Sequence, residues 1–303
     1  MVSFRLSNRR IIKNNSNGIL LPKLFCFVLC FSLWQAVSAS EGGGSNYLPG
    51  FYGDFAVAVF PDKGTFFNNF FATYLDTSGE VGAALEMPGI MHVTEWDIFG
   101  GRYLLGAYPA VMGAWDHSGK DNVGRFGLGD FYLVPFGLNW KWPDVTVLAF
   151  EGIVAPTGYY QKGEINPARN VWTFDHIAAV TWNLPAHNEL NLVFGYMNNL
   201  ENHSTGYKTG DEFHFDYTVA HYLRDSFAIG VTGSYYRQMT ADSAPPDTYL
   251  YPRVEASTIG PAFMFIPKWG GREVTLSFKW MHEFDVTGRP AFDYWISRVW
   301  VEF

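Results

Sequence analysis

The sequence predicts an all-β fold: a transmembrane antiparallel up-and-down β-barrel of about 12 strands that follows an N-terminal signal peptide. Apolar and polar residues alternate along most of the chain, as they do in strands with one apolar face. Many alternating stretches match the ~9–11 residues of a tilted bilayer-crossing strand, whereas ordinary strands have ~5–6. Aromatic residues make up 18% of the chain, which is typical of outer-membrane barrels. We therefore expect the protein in the bacterial outer membrane.

Residues 1–39 predict a secretory signal peptide. Basic side chains precede the apolar run LFCFVLCFSLW, and Val37, Ser38 and Ala39 fit the small-x-small pattern before a cleavage site. The apolar run is too short for a spanning helix, which needs ~20 residues. An uncleaved membrane anchor is the alternative. Both cysteines, Cys26 and Cys30, lie in this segment, so the exported chain has no thiol for disulfides, catalysis or metal binding.

The predicted signal peptide contains five basic residues and no acidic ones, so its removal takes the formal net charge from −8 to −13. An acidic chain without a basic cluster predicts no nucleic-acid partner. A secreted β-sandwich is the competing fold class. It gives no reason for long strands whose connections are alternately short and long, whereas a barrel with short periplasmic turns and longer outer loops does.

The twelve strands follow from the alternation. In one of them Phe213, Phe215 and Tyr217 share a face, and Glu212, His214 and Asp216 share the other. An even number of strands lets the sheet close without an edge in lipid. The last strand ends at Phe303, which predicts recognition by the barrel-assembly machinery and makes that machinery an expected partner beside the outer-membrane lipid. The predicted strands are residues 65–76, 84–98, 102–116, 125–140, 144–158, 170–184, 189–201, 212–223, 226–240, 253–267, 273–285 and 292–303.

Seven stretches resemble one family of outer-membrane proteins, named for the MetA-pathway of phenol degradation and also called SphA-like. They are EGGGSNYLPGFYGDF, GLGDFYLVP, APTGYY, RNVWTFDH, TGYKTGDEFHFDY, GSYYRQMTADS and LSFKWMHEF, and they extend from Glu41 to Phe284. The resemblance implies a barrel that passes small, often aromatic, compounds. It brings no agreed functional residues, so none is assigned from it.

The face predicted to line the lumen is chemically mixed. Its polar members suit either a water-filled lining or a charged ring that selects the solute. Its aromatic members either pack the barrel or hold flat apolar solutes, since twelve strands leave a narrower lumen than the 16–18 of an open porin. The predicted solute-path residues are Asp130, Tyr132, Phe136, Glu151, Asp175, Glu212, His214, Asp216, Tyr236, Lys279 and Arg298.

Residues 40–64 precede the first predicted strand, and residues 65–303 form the predicted barrel. The segment is rich in glycine and aromatic residues, and a glycine-rich backbone can pack closely against a wall. We expect it to fold into the lumen from the periplasmic side as a plug. The alternative is a loose periplasmic tail. The predicted plug residues are Glu41, Tyr47, Phe51, Tyr52 and Phe55.

Passive passage of small hydrophobic or aromatic solutes is the predicted function, with no enzymatic activity and no cofactor or metal. A structural or receptor barrel is the main alternative. An outer-membrane hydrolase needs a serine and a histidine together on the lipid-facing side. Neither His176 nor His282 has such a serine on its own strand face. Glu212, His214 and Asp216 share a face but lie ~6.6–6.8 Å apart per pair, too far for a compact metal site without a neighbouring strand.

Overall fold

The computed structural model describes residues 38–39, 44–119 and 123–303, all within one compact unit. The predicted signal peptide lies outside the described residues except for Ser38 and Ala39, and Glu41 lies outside them as well. In the described part of the chain, no helix has the length and apolar character needed to cross a membrane.

All twelve predicted strands are present, and β3 and β4 are each interrupted once. In chain order β1 to β12 are Gly64–Asp76, Val81–Ile98, Gly101–Tyr108 with Val111–Asp116, Val123–Leu128 with Phe131–Lys141, Val145–Ala155, Thr173–Leu184, Asn188–Asn199, Glu212–Arg224, Phe227–Gln238, Glu255–Phe265, Arg272–Thr287 and Phe292–Glu302.

The sheet closes because β12 pairs with β1, while each strand also pairs with its neighbour in the chain. Tyr294 of β12 lies opposite Tyr74 of β1, and Glu302 lies opposite Phe66. Closure pairs the backbone N–H and C=O groups that an open sheet would leave unpaired at its edges. Such pairing is necessary because the hydrocarbon core of a membrane contains no water to bond them. Many large apolar side chains are exposed on the outward face. The predicted barrel fold is confirmed, and it places the protein in the bacterial outer membrane, in contact with lipid.

Proline and glycine cause the interruptions in β3 and β4. Pro109 follows Tyr108, and its nitrogen has no hydrogen to donate to the neighbouring strand. In β4 the break falls at residues 129–130, and the register slips again between Leu133 and Phe136. A slip of one residue turns every later side chain to the other face of the sheet.

Short turns join strands at one end of the barrel, and the three longest loops lie at the other. Phe99 and Gly100 connect β2 to β3 with φ angles of 53° and 74°, as in a two-residue hairpin turn. The longest loops are residues 156–172, 200–211 and 239–254. The long loops predicted from the sequence lie at one end, where residues 77–80 and 288–291 also make short connections. We name the short-turn end the inner end and the long-loop end the outer end, following the orientation of bacterial barrels.

The lumen is filled by the chain itself. Residues 44–63, called the N-terminal segment from here on, run inside the barrel before β1. Phe51, Ala58 and Phe60 of this segment pack against wall residues such as Phe66 and Leu104 in the largest hydrophobic cluster of the described residues. The hydrophobic core of the protein thus lies between the segment and the inner face of the sheet.

Candidate functional site

The N-terminal segment spans the lumen from the outer end to the inner end. Near its start, the side-chain amide of Asn46 donates to the hydroxyl oxygen of Thr173, at the outer end of β6, over 2.6 Å. Near its end, the Lys63 ammonium lies 2.5 Å from Glu95, close to the inner end of β2. The segment joins the barrel at the inner end, as predicted. Its continuation to the outer end was not predicted.

A tight turn brings the segment against the wall at residues 48–51. The amide of Phe51 donates to the carbonyl of Leu48 over 2.9 Å. Gly50 has a φ of 76°, and a Cβ placed on it would lie 2.2 Å from the Met281 methyl group. Both the left-handed backbone and the close approach therefore require glycine here.

His214 of β8 holds the outer half of the segment. Its Nε2 lies 3.0 Å from Asp175 of β6, and its Nδ1 lies 3.5 Å from Asp216. The same carboxylates accept hydrogen bonds from the segment, Asp216 from Tyr47 over 3.0 Å and Asp175 from Tyr52 over 2.9 Å. One imidazole and two carboxylates thus form a buried unit that is completed by two tyrosines of the segment.

Glu212, next to this unit on β8, extends the contacts toward the outer end. It accepts a hydrogen bond from Ser45 of the segment over 3.1 Å and another from Tyr236 of β9 over 2.5 Å. The Glu212 side chain is fully buried. A buried carboxylate is tolerated only with such partners, so the segment supplies part of what stabilises this one.

Lys279 of β11 binds the segment through backbone oxygens. Its ammonium donates to the carbonyls of Gly50 over 2.6 Å and Phe51 over 3.5 Å, and it also donates to the carbonyl of Gly53. Lys279 is 3% exposed, so three carbonyls take the place of water around a buried charge. The segment and this lysine depend on one another.

Asp54 ties the segment to the neighbouring wall. It accepts a hydrogen bond from Ser277 over 2.9 Å and lies 3.5 Å from the Arg298 guanidinium of β12. Arg298 also donates to Asn68 over 2.8 Å. The Asp54 carboxylate offsets the positive charge of Arg298. The positive potential in the lumen is therefore weaker here than beside an unpaired arginine.

Side chains on β6 and β7 replace a partner strand for the inner half of the segment. The amides of Ala56, Val57 and Ala58 donate to Glu189, Asn191 and Thr181 over 2.8, 3.1 and 3.0 Å. Asn139 of β4 donates to the Ala58 carbonyl over 2.8 Å. Buried backbone groups need such partners. These residues were not predicted as part of the site, although Glu189 and Asn191 are two positions apart and share one face of β7.

An ion pair fixes the segment where it leaves the lumen. The Lys141 ammonium, at the inner end of β4, lies 2.7 Å from the Asp62 carboxylate. The hydrogen bond and positive charge of Lys141 lower the pKa of Asp62 below its ordinary value. The Asp62 side chain is 85% exposed, so this pair is a weak contact at the inner opening.

A small apolar cavity remains between the segment and the wall formed by β1 to β7. Its volume is about 80 Å³. For comparison, an engineered apolar cavity of ~150 Å³ binds benzene in another protein. The lining includes Phe51 and Tyr52 from the segment, with Phe70, Met87, Tyr132 and Phe150 from the wall. The space is thus aromatic and too small for a benzene-sized solute unless the segment or wall moves.

Most predicted solute-path residues face the lumen. The pairing and burial of the strands place eight of them there: Tyr132, Asp175, Glu212, His214, Asp216, Tyr236, Lys279 and Arg298. Asp130 lies at the outer end instead, where it accepts hydrogen bonds from the amides of Gly158, Arg169 and Asn170. Of the predicted plug residues, Tyr47, Phe51, Tyr52 and Phe55 are in the lumen, and Glu41 is outside the described residues.

The lumen prediction is wrong for Phe136 and Glu151. Phe136 pairs with Glu151 across β4 and β5, and Glu151 pairs with His176, whose neighbours Asp175 and Ile177 face the lumen. Both side chains therefore point outward. The register slip before Phe136 explains the first error. Both faces of β5 are largely apolar, so its sequence does not reveal which face Glu151 occupies.

The outward histidines are paired with carboxylates. His176 lies 2.6 Å from Glu151, and His282 lies 2.9 Å from Asp293. Neither makes a hydrogen bond to a serine within the described chain, which the hydrolase alternative requires. Among the described residues, no group of three histidine, aspartate or glutamate side chains is placed to hold a metal ion.

Comparison with known proteins agrees with the fold. A family model described as "Putative MetA-pathway of phenol degradation" matches residues 58–297. The COG4313 outer membrane channel from Pseudomonas putida F1 superposes with a TM-score of 0.68 at 14% identity, over 85% of this chain and 100% of that one. A comparison with curated protein sequences gives no match.

Two further barrels are similar at lower scores. The translocator domain of autotransporter NalP from Neisseria meningitidis has a TM-score of 0.47 at 10% identity, with 81% of this chain and 90% of that chain covered. The NanC porin has a TM-score of 0.44 at 10% identity, with 78% and 98% covered.

Proposed function

The chain belongs to the phenol-degradation MetA-pathway family matched above, and on that premise we propose that it is an outer-membrane channel for passive passage of small hydrophobic or aromatic solutes. The observation that carries the proposal is the aromatic cavity between the N-terminal segment and the wall. A ligand site is typically a concave, mainly apolar space with a few polar groups. The barrel of similar fold from Pseudomonas putida F1 is itself an outer membrane channel.

The N-terminal segment is the gate in this proposal. It fills the lumen through contacts that a solute or a partner could replace one at a time, such as the Lys279 bonds to Gly50 and Phe51. Movement of the segment enlarges a cavity that is too small for an aromatic ring in the closed state. β12, which ends next to Phe303, is the element proposed to engage the barrel-assembly machinery.

Influx into vesicles tests the proposal. Liposomes containing the refolded barrel are exposed to benzoate, which is ionised at neutral pH and crosses lipid slowly, or to a pentose of similar size. We expect faster benzoate influx. Met87→Trp fills the cavity and should slow it, whereas Ile90→Trp on the outward face of the same strand should not, because Ile90 is 53% exposed to the lipid side.

The other outcomes separate the alternatives. Equal influx of benzoate and pentose indicates a general pore. No influx of either, through a barrel shown to be folded by its heat-modifiable migration, contradicts a channel role. That result favours the structural or receptor alternative, which the filled lumen also fits.

A further inference from the structure

The outward surface of β4 to β7 has a groove. Its volume is about 560 Å³, within the ~300–1,000 Å³ range of ligand sites. Ala149 and Ala178 lie opposite one another on β5 and β6 and form its floor. Larger side chains stand on either side, Leu138 and Trp140 on β4, and Phe194 on β7. The two alanines thus form an apolar depression between rows of larger side chains.

A polar cluster closes the outer end of this groove. His176 lies 2.6 Å from Glu151 through Nδ1 and 2.9 Å from Asn198 through Nε2. The His176 side chain is 51% exposed and that of Glu151 is 29% exposed, so both are accessible from the membrane. Glu151 is four residues below the outer end of β5, or roughly 10 Å inside it for a strand tilted by ~35–45°.

Ionisable side chains on the lipid-facing side of a barrel carry a free-energy cost that grows with depth. Ionisable groups within a membrane are for that reason a sign of function. Here the cluster lies at the end of an apolar groove, as the head group of a membrane lipid lies at the end of its chain. We propose that the groove binds the alkyl chain of a neutral, hydroxyl-bearing lipid of the outer leaflet, and that Glu151, His176 and Asn198 bind its hydroxyl head group.

The charges around the cluster select this class of head group. Tyr196, opposite His176 on β7, contacts Asp211 over 3.3 Å, so a second carboxylate stands nearby. Two carboxylates disfavour an anionic head group such as a phosphate or fatty acid. A cationic head group is not needed, because His176 already pairs with Glu151. Hydroxyls donate to carboxylate oxygens and accept from side-chain amides, so a neutral polyol can bond to Glu151 and Asn198 while His176 keeps both of its partners.

Native mass spectrometry of the barrel extracted from phospholipid vesicles tests this lipid site. The vesicles contain monoolein, oleate or oleylamine, which share one chain length and differ in the charge of the head group. We expect one retained monoolein and little oleate or oleylamine. Ala178→Phe, which fills the floor, should abolish retention. Glu151→Gln should weaken it about tenfold, the change expected from losing one hydrogen bond to a charged group.

Matched variants on the opposite side of the barrel are the controls. Asp293→Asn breaks the outward pair with His282, which has the same chemistry as Glu151 with His176 but does not line this groove. Thr73→Phe adds a ring to the outward face of β1. Both should retain monoolein as the wild type does. Retention unchanged by Ala178→Phe, or equal retention of oleate or oleylamine, overturns the proposal. The proposal is also overturned if the wild type shows the mass of a dimer and Ala178→Phe does not, because the groove then binds a second copy of the chain.

Discussion

The imidazole of His214 is stacked on the phenol ring of Tyr47, with ring centroids 4.1 Å apart and planes 15° from parallel. This contact joins the wall to the N-terminal segment by a flat apolar surface, while the ring nitrogens of the same histidine contact Asp175 and Asp216. Stacking and ion pairing are therefore separable at His214. A substitution that keeps one and removes the other shows which of them holds the segment.

His214→Phe keeps the stacked ring and removes both ring nitrogens. Two buried carboxylates then lose a shared partner, and breaking a buried pair costs ~3–5 kcal/mol. We expect the free energy of unfolding in urea, measured in vesicles, to fall by about that amount. His203→Phe in an exposed loop should change it little. An unchanged value for His214→Phe shows that stacking alone is sufficient.

Lys279→Met keeps the length of the side chain and removes its charge. The carbonyls of Gly50 and Phe51 then lose a donor, and each buried polar group left unpaired costs ~1–3 kcal/mol. We expect the segment to leave the wall more often, which raises the single-channel conductance in planar bilayers. Lys268→Met in an exposed inner turn is the control. Equal conductance of both variants and the wild type rules out Lys279 as an anchor of the segment.

Gly50→Ala tests the close approach of the segment to β11. The added Cβ would lie 2.2 Å from Met281, at a φ of 76°. Gly163→Ala is matched, since its φ is 82° and no heavy atom lies within 4 Å of its Cβ. Both bear the backbone cost of ~1–2 kcal/mol for a left-handed residue, but only Gly50→Ala has the steric clash. We expect a larger loss of stability in urea and a higher ion leak for Gly50→Ala alone.

The Asp62–Lys141 pair predicts a small pH dependence at the inner opening. Because the pKa of Asp62 is lowered in the folded state, the pair stabilises the fold above the unfolded pKa of ~3.9 and stops doing so as the pH falls through the folded value. Asp62→Asn should thus lower the free energy of unfolding at pH 7 by ~0.2–1 kcal/mol, the range for an exposed pair, and lower the unfolding midpoint accordingly. At a pH below the pKa of Asp62 in the folded protein, the unfolding midpoints of Asp62→Asn and the wild type should coincide. A difference that persists there assigns the effect to packing.

The strands could be predicted because lumen-facing and outward-facing residues alternate along every strand of a barrel. In β8 the order Glu212, Phe213, His214, Phe215 gives the lumen face directly, and the structure agrees. Phe136 could not be placed, since the slip in β4 that turns it outward depends on pairing with two neighbouring strands. Glu151 could not be placed because its strand is apolar on both faces. Alternation holds only while the register holds.

The interior of the site was less predictable for a different reason. The glycine and aromatic content of residues 44–60 indicated close packing, but nothing in that stretch names Lys279 or Glu189 as its partners. Those contacts depend on where distant strands lie around the barrel. Side chains that bond to a backbone carbonyl, as Asn139 does to Ala58, follow no sequence motif. Any side-chain amide in the right position can donate such a hydrogen bond.

The position of the segment also determines when the protein can be sealed. The bond from Lys279 to Gly50 joins residues 229 apart in sequence, and that from Ser45 to Glu212 joins residues 167 apart. Contacts between such distant residues form late, since the loop between them must first be ordered. We therefore expect the segment to seal the lumen only after β8 and β11, which supply Glu212 and Lys279, are in place. Until the N-terminal segment docks, the closed sheet surrounds an open lumen. The time between closure of the sheet and docking of this segment should therefore set how long the membrane leaks during biogenesis.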